Sequence, residues 1–200
     1  MNFQIKTTDL ARILGAFTHL SYTKTKDDRS GIFFELDADG ALLIVATNGA
    51  VMGYTHHRLS ETCGTGSFLL PLAAAKEILK SLKNSPLTTV ELADRAVPAL
   101  TLDGERVYDV YINNVYPMPS TYFPSEAPLE SVAGIGVNLE EFNKISKAAL
   151  ALTGTAAVKI VLPESTFAPI SLVAQGDGFT LKCVCMPFCV PADLDPWTSH

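Results

Sequence analysis

Hydrophobic and polar positions alternate along this chain in a pattern that occurs three times. In each occurrence a short strand-like run leads into a helical stripe, and three strand-like runs broken by tight turns follow. The helical stripes begin near Thr8, Leu72 and Asn138, so the step between units is 64 and then 66 residues. A nearly constant step of this kind indicates a repeat architecture.

Each unit is predicted to hold one helix of about three turns and one small antiparallel sheet. Such a helix is unstable alone in water and must bury its apolar stripe. We therefore expect every helix to pack one face on its sheet and to leave the other face exposed. The predicted stripes are Leu10, Ile13, Leu14 and Phe17, then Leu72, Ala75, Ile78, Leu79 and Leu82, then Leu139, Phe142, Ile145 and Ala149. The predicted fold class is α+β, with three repeated β-α-β-β-β units and the helices on one face of antiparallel sheets.

Turn signals support the same division. Dipeptides that favour tight hairpin turns separate the predicted strands, namely Asp39-Gly40, Asn48-Gly49, Asp103-Gly104 and Asp177-Gly178. The stretch from Tyr116 to Gly134 contains four prolines and little periodicity, which indicates a linker. We predict a domain of two units at 1–115, a Pro-rich linker at 116–133, a third unit at 134–190 and a tail at 191–200. Because three units leave an exposed sheet edge, we also expect a homo-oligomer.

Composition and charge narrow the class of protein. The 200 residues are 48% hydrophobic and 18% charged, which is typical of globular proteins. No run approaches ~18 apolar residues and no secretory pattern opens the chain, so we expect a cytoplasmic protein without a membrane partner. The net charge of -6 is uneven. The predicted helices at 8–20, 72–83 and 138–150 carry six basic and four acidic residues, so their sum is +2.

Basic residues recur on the polar side of these helices. Lys76, Lys80 and Lys83 follow one another at i, i+4 and i+7, which predicts a single stripe. Such a row can follow a phosphate backbone, although a solvated helix face is the alternative interpretation. Because basic faces recur in all three units, we favour contact with a phosphate backbone through Arg12, Lys76, Lys80, Lys83, Lys144 and Lys147.

Catalytic and metal sites are not predicted. Cys183 and Cys185 share a strand face with apolar residues and lack the turn between ligand pairs that structural zinc needs. His56 and His57 are neighbours on a strand and so point to opposite faces, which excludes joint metal binding. No nucleophile and base are paired, and we expect neither enzymatic activity nor a cofactor. A hotdog-type thioesterase, which also combines a helix with antiparallel strands, is the enzymatic alternative.

Several segments resemble the bacterial DNA polymerase sliding clamp, the polymerase III beta-like processivity factor. They are the ATNG turn at 46–49, SFLLPLAAAKEILKSLK, YINNVYPMPSTYFP and FAPISLVAQGDGFTLKCVCMP. The resemblance implies a closed ring of repeated units, with helices lining a central hole and sheets forming the outer wall. It implies binding of duplex DNA without sequence readout. The chain has three units where a bacterial clamp has six, so ring closure is implied by analogy alone.

The resemblance also implies a pocket for peptides of a DNA polymerase or clamp loader, at Val184, Met186, Pro187 and Phe188. The alternative is that these residues belong to the core of a closing strand. The chain continues twelve residues beyond Phe188, and its tail resembles the acidic, hydrophobic peptides that clamps bind. A clamp-like protein-binding module that forms no ring remains a further alternative.

Overall fold

The computed structural model describes residues 1–22, 30–82, 85–93, 98–112, 116–122, 137–155, 157–161 and 168–187. The helices are α1 (Thr7–Leu20), α2 (Leu72–Ser81), α3 (Pro119–Tyr122) and α4 (Leu139–Thr153). The strands are β1 (Asn2–Lys6), β2 (Gly31–Leu36), β3 (Ala41–Thr47), β4 (Val51–Arg58), β5 (Thr62–Cys63), β6 (Gly66–Pro71), β7 (Leu87–Ala93), β8 (Ala99–Leu102), β9 (Arg106–Asp109), β10 (Lys159–Val161), β11 (Ile170–Gly176) and β12 (Phe179–Cys185).

The order of these elements confirms the repeat. The first unit is β1-α1-β2-β3-β4 and the second is β6-α2-β7-β8-β9. The third contains α4 followed by β10, β11 and β12, and most of its predicted leading strand at 135–137 lies outside the described residues. All three long helices begin within one residue of the predicted positions.

The strands form two antiparallel sheets, one ordered β5-β1-β7-β8-β9 and the other β10-β11-β12-β4-β3-β2-β6. The expectation that each unit has a sheet of its own is wrong. The leading strand β1 pairs with β7 of the second unit, and β6 pairs with β2 of the first unit. Local periodicity identifies a strand but contains no information on its partner, because strand pairing depends on contacts distant in sequence.

The third unit extends the sheet of the first. Its strand β12 pairs with β4, and Cys183 lies opposite Gly53 while Val184 lies opposite Met52. One hydrophobic core runs through all three units, from Phe3 in β1 to Cys185 in β12. The division into domains at 116–133 stays a prediction, since residues 123–133 lie outside the described part of the chain.

The three long helices form one layer against the sheets, and α1 lies between α2 and α4. The predicted stripe of α1 is confirmed, because all of its residues are buried. For α4 the stripe is shifted: Leu139 is exposed, whereas Ala148 and Leu152 are buried. The helix begins at Leu139 after the Asn138 cap, whose side chain accepts hydrogen bonds from the next backbone N–H groups, so the first turn extends past the core.

The predicted hairpin turns are also confirmed. Asp103 and Gly104 have φ angles of 52° and 69°, and Asp177 and Gly178 have φ angles of 48° and 80°. Positive φ at both central positions is the geometry of the two-residue turns that suit the twist of antiparallel strands.

Among the described residues, no helix is both long and apolar enough to cross a membrane.

Two glycines are expected to respond oppositely to alanine. A Cβ at Gly53 would lie 2.5 Å from Leu20 Cδ1 and 2.9 Å from Cys183 Sγ, so Gly53→Ala should destabilise the fold by about 1–3 kcal/mol. A Cβ at Gly15 would meet no described neighbour outside its own helix within 4 Å, so Gly15→Ala should stabilise the fold by up to about 1 kcal/mol. Urea unfolding measures both changes, and equal stability of the Gly53→Ala variant and the parent would contradict the tight contact between α1 and the sheet.

Candidate functional site

Basic side chains from three different helices come together on the exposed side of the helix layer, called the helix face below. His19 of α1, Lys76 of α2 and Lys147 of α4 are all exposed there. Burial lowers the pKa of His19, and the charges of Lys147 and Lys76 lower this pKa further. Charges influence one another in this way only over short distances in salt solution. We call these three residues the basic cluster.

The predicted lysine stripe of α2 lies only partly within the described residues. Lys76 and Lys80 are exposed one turn apart. The helix α2 ends at Ser81, and Leu82 has the angles φ -56° and ψ 126°. Lys83 lies outside the described residues, so its place on the stripe stays a prediction. Leu82 still packs against the core, and this contact explains why its apolar position suggested a longer helix.

The two other predicted DNA contacts have acidic neighbours. Arg12 Nη2 lies 3.1 Å from Asp177 Oδ2, and both side chains are largely exposed. Lys144 Nζ donates a hydrogen bond to Glu141 Oε1 at 2.6 Å, and Asn48 Nδ2 donates to the other oxygen of this carboxylate at 2.7 Å. Burial raises the pKa of Glu141, but these hydrogen bonds outweigh burial and hold its pKa below the usual value.

The helix layer is accordingly less basic than the sequence indicated. Within the observed bounds, α1, α2 and α4 carry five basic and four acidic residues. The sum is +1 instead of the predicted +2, because Lys83 falls outside α2. The acidic residues of α1 and α4 occupy first turns, where they complement the helix dipole. The positive charge is thus concentrated at Lys76, Lys80 and Lys147, since the lowered pKa of His19 favours its neutral form.

The adjacent histidines point to opposite faces as predicted. His57 stacks on Phe179 with ring centroids 5.2 Å apart, whereas His56 is exposed. Although His57 Nε2 lies 3.8 Å from Asp9 Oδ2, burial lowers the pKa of His57 more than the Asp9 charge raises it. His57 is therefore mainly neutral at pH 7, and this contact is not an ion pair.

Cys183 and Cys185 lie in the core, which confirms their predicted orientation. Burial raises the pKa of both thiols, and for Cys185 the charge of Glu141 raises it further. Neither thiol is activated as a nucleophile, because the thiolate is the reactive form.

The other side of the seven-stranded sheet has an apolar surface of its own. Its small core, the outer core, consists of Phe33, Val45, Met52, Leu69, Tyr116 and Val184. These residues alternate along their strands with residues of the main core, so they face away from the helices. Tyr116 covers them: its ring stacks on Phe33 with centroids 5.2 Å apart, and its hydroxyl accepts a hydrogen bond from the Thr47 N–H at 3.1 Å.

A groove of about 610 Å³ opens beside the outer core. Its walls are the β3–β4 turn, the end of β12 and the segment around α3. The lining residues are Tyr22, Ser30, Thr47, Asn48, Gly49, Ala50, Val51, Met52, Pro117, Thr121, Tyr122, Pro169, Val184 and Met186. A volume in this range is typical of sites for small ligands and short peptides.

Two of the four predicted pocket residues line this groove. Val184 is buried in the outer core and contributes to the floor, and Met186 is 46% exposed. Pro187 is half-buried and is not part of the described lining, and Phe188 lies outside the described residues. Val184 belongs to a core and also lines the groove, and its contact with a partner peptide stays a prediction.

Sequence reasoning missed most of the other walls of the groove. The outer core beside the groove did have a signal, since Phe33, Val45 and Leu69 have the opposite strand parity from the main core and make these strands apolar on both sides. Tyr116 carried no signal of its own, because it lies in the predicted linker. The basic cluster was also missed as a unit, since His19 was not singled out in the sequence analysis.

Comparison with solved structures identifies the fold. The chain is 13% identical to DNA polymerase III subunit beta from Borrelia burgdorferi, with a TM-score of 0.73 over 96% of this chain and 65% of that one. It is 13% identical to the DNA polymerase sliding clamp from Pseudomonas aeruginosa, with a TM-score of 0.74 over 95% of this chain and 67% of that one. The beta subunit of Streptococcus pyogenes DNA polymerase gives 13% identity and a TM-score of 0.73, over 95% and 66%.

These similarities confirm the α+β clamp fold, and the chain has the fold of bacterial DNA polymerase sliding clamps. It spans about two thirds of the length of those structures. No protein-family model matches the sequence, and no curated protein does so either. With 13% identity the similarity establishes the fold, and function has to be argued from the basic cluster and the groove.

Proposed function

We propose that this protein is a sliding clamp-like processivity factor, which holds or encircles duplex DNA without sequence specificity and tethers a polymerase or another DNA-processing protein. The observation that carries the proposal is that α1 packs against both α2 and α4, and that Lys76 and Lys147 of those two helices both act on the pKa of His19 in α1. The groove lies on the opposite side of the sheet. A partner bound in the groove would therefore leave the helix face accessible to DNA.

Contact with DNA would be electrostatic. Lysine side chains along helices attract phosphates of any sequence, and the attraction falls steeply as the salt concentration rises. Lys76, Lys80 and Lys147 are the strongest candidates, because none of them forms an ion pair with another described residue. We assign Arg12 and Lys144 a smaller role, since Asp177 and Glu141 already offset their charges. Lys83 remains a candidate from its position in the sequence.

Self-association would use the open sheet edges. Among the described strands, β9 ends the five-stranded sheet and β10 ends the seven-stranded one. The other end of the seven-stranded sheet, β6, is bridged to the first sheet by paired hydrogen bonds between Leu69 and Tyr111. Tyr111 lies two residues beyond β9, so only β9 itself, Arg106–Asp109, is offered as an edge. Val107 on β9 is 59% exposed and Ile160 on β10 is 47% exposed. We propose a homo-oligomer in which β9 of one copy pairs with β10 of the next, a head-to-tail contact that can close a ring.

The groove would hold a peptide of a polymerase or clamp loader, in an extended or turn conformation. Its methionines adapt to related side chains of unequal shape. The function would require no catalytic residue, cofactor or metal, and we propose that the protein is not an enzyme. A hotdog-type thioesterase would wrap its sheet around one long helix, whereas here three helices form a layer on one side of the sheets. A protein-binding module that forms no ring would use the groove alone.

Binding in the groove can be tested with overlapping fluorescent peptides that cover a bacterial replicative DNA polymerase. We expect at least one to bind with micromolar affinity, about 8 kcal/mol, as is typical of small transient contacts. Met186→Glu should abolish this binding, because a charge at the rim of an apolar site is costly to desolvate. Leu87→Glu is the matched control, since Leu87 is also 46% exposed but lies on β7 of the other sheet. Equal binding by both variants would contradict the assignment of the groove.

A further inference from the structure

The groove is lined by the end of β12, close to the last residue that the structure describes, Pro187. Met186 lines the groove, Pro187 follows it, and the chain continues to His200. We propose that the tail, residues 191–200, folds back into the groove of its own chain and occupies it through Leu194 and Trp197. The tail would thereby compete with a partner peptide. This inference rests on the proposed use of the groove as a peptide site.

The length of the segment allows this contact. An extended chain spans at most about 3.6 Å per residue, so Leu194 can reach about 25 Å and Trp197 about 36 Å from Pro187. Because Met186 is itself part of the lining, the segment only has to turn back on itself. It does not have to cross the molecule. Pro191 and Pro196 are residues that favour turns.

The chemistry of the tail matches that of the groove. Tryptophan offers a large apolar surface with one N–H donor, and leucine adds a second apolar side chain. The groove presents Met52, Val184 and Met186, which can adapt to such side chains. Without an occupant, Met186 remains 46% exposed at the rim.

Charge also favours the tail as the occupant. The tail contains two aspartates, Asp193 and Asp195, and neither lysine nor arginine. Lys182 is exposed two residues before Val184 on the same face of β12, with its Nζ 5.8 Å from the centre of the Tyr54 ring. A positive charge therefore lies on the same side of the sheet as the groove, where it would attract an acidic peptide.

Tethering makes even a weak contact effective. A short flexible connection gives an effective concentration in the millimolar range. An intrinsic dissociation constant of about 0.1 mM would then leave only about a tenth of the grooves open, and a partner peptide would bind about tenfold more weakly.

Trp197 allows a direct test, because it is the only tryptophan in the sequence. In the full chain we expect its emission to be shifted to shorter wavelength, with acrylamide quenching several-fold weaker than in the Met186→Glu variant. Leu87→Glu should behave as the parent does. The signal should not depend on protein concentration, since the contact lies within one chain. Equal quenching in parent and Met186→Glu would overturn the proposal, and so would protection that appears only at high protein concentration.

Competition separates this inference from the proposed function. The full-length variant Leu194→Ser/Trp197→Ser should bind the tightest polymerase peptide about tenfold more tightly than the parent does. Equal affinities would overturn the tail proposal and leave the proposed function intact. If no polymerase peptide binds either form, the synthetic tail peptide PADLDPWTSH is the probe. Its binding to the double variant, together with a protected Trp197 in the parent, would support the tail contact and contradict the partner site.

Discussion

Replacing Lys76 and Lys147 with glutamate is expected to weaken binding to any duplex by on the order of 10- to 100-fold at low salt. These two residues belong to different helices, and both act on the pKa of His19. Reversing their charge therefore makes the basic cluster negative. The slope of the logarithm of affinity against the logarithm of salt concentration should fall by about 2, because two counterion-releasing contacts are lost. Both side chains are exposed, and we expect the fold to survive.

The control for this variant reverses the same amount of charge on the other side of the sheet. Arg58 and Lys182 are exposed residues of β4 and β12 and have the strand parity of the outer core. The Arg58→Glu/Lys182→Glu variant should keep most of the affinity, since only the long-range field changes. Fluorescence anisotropy with duplexes of unrelated sequence measures both variants. If they lose affinity equally, net charge and not the helix face determines binding.

Glutamate at either open sheet edge is expected to break the oligomer. Val107→Glu and Ile160→Glu each place a charge where a neighbouring strand would bury it, and an unpaired buried charge is costly. In a head-to-tail assembly every interface uses both edges, so either single substitution affects all interfaces. We expect self-association to weaken by on the order of 100-fold or more.

Sedimentation over a range of protein concentrations measures this effect, and Leu87→Glu again serves as the control. Leu87 is an exposed apolar residue of β7, which has a paired neighbour on each side. The control should remain oligomeric. A parent protein that is monomeric at every concentration would rule out the proposed assembly and would favour the binding module without a ring.

Local signals in the sequence predicted the elements of the fold well. Asp-Gly turns need positive φ, which few other residue pairs adopt, so Asp103-Gly104 and Asp177-Gly178 identified their hairpins directly. The buried residues of α1 follow helical spacing and predicted its face. The exchange of β1 and β6 between sheets was not predictable in this way, because strand partners are chosen by contacts far apart in sequence.

The candidate site was predictable only in part for related reasons. Helix ends are the least certain boundaries, and α2 ends at Ser81, two residues short of the predicted end. The acidic partner of Arg12 was hidden, because Asp177 comes from a distant turn. Glu141 precedes Lys144 by three positions on the same helix and was visible as a possible partner, whereas Asn48 approaches Glu141 across 93 positions of sequence. The groove is assembled from several separate segments, of which only the end of β12 was identified beforehand.

Retention on closed DNA tests the central claim most directly. The protein would be mixed with a linear duplex at low salt, the DNA ends would be ligated into circles, and the salt would then be raised before gel filtration. An encircling clamp should stay with the circles and leave the unligated linear DNA, because high salt removes the electrostatic attraction and only the topological link remains. Equal release from circular and linear DNA would contradict encirclement.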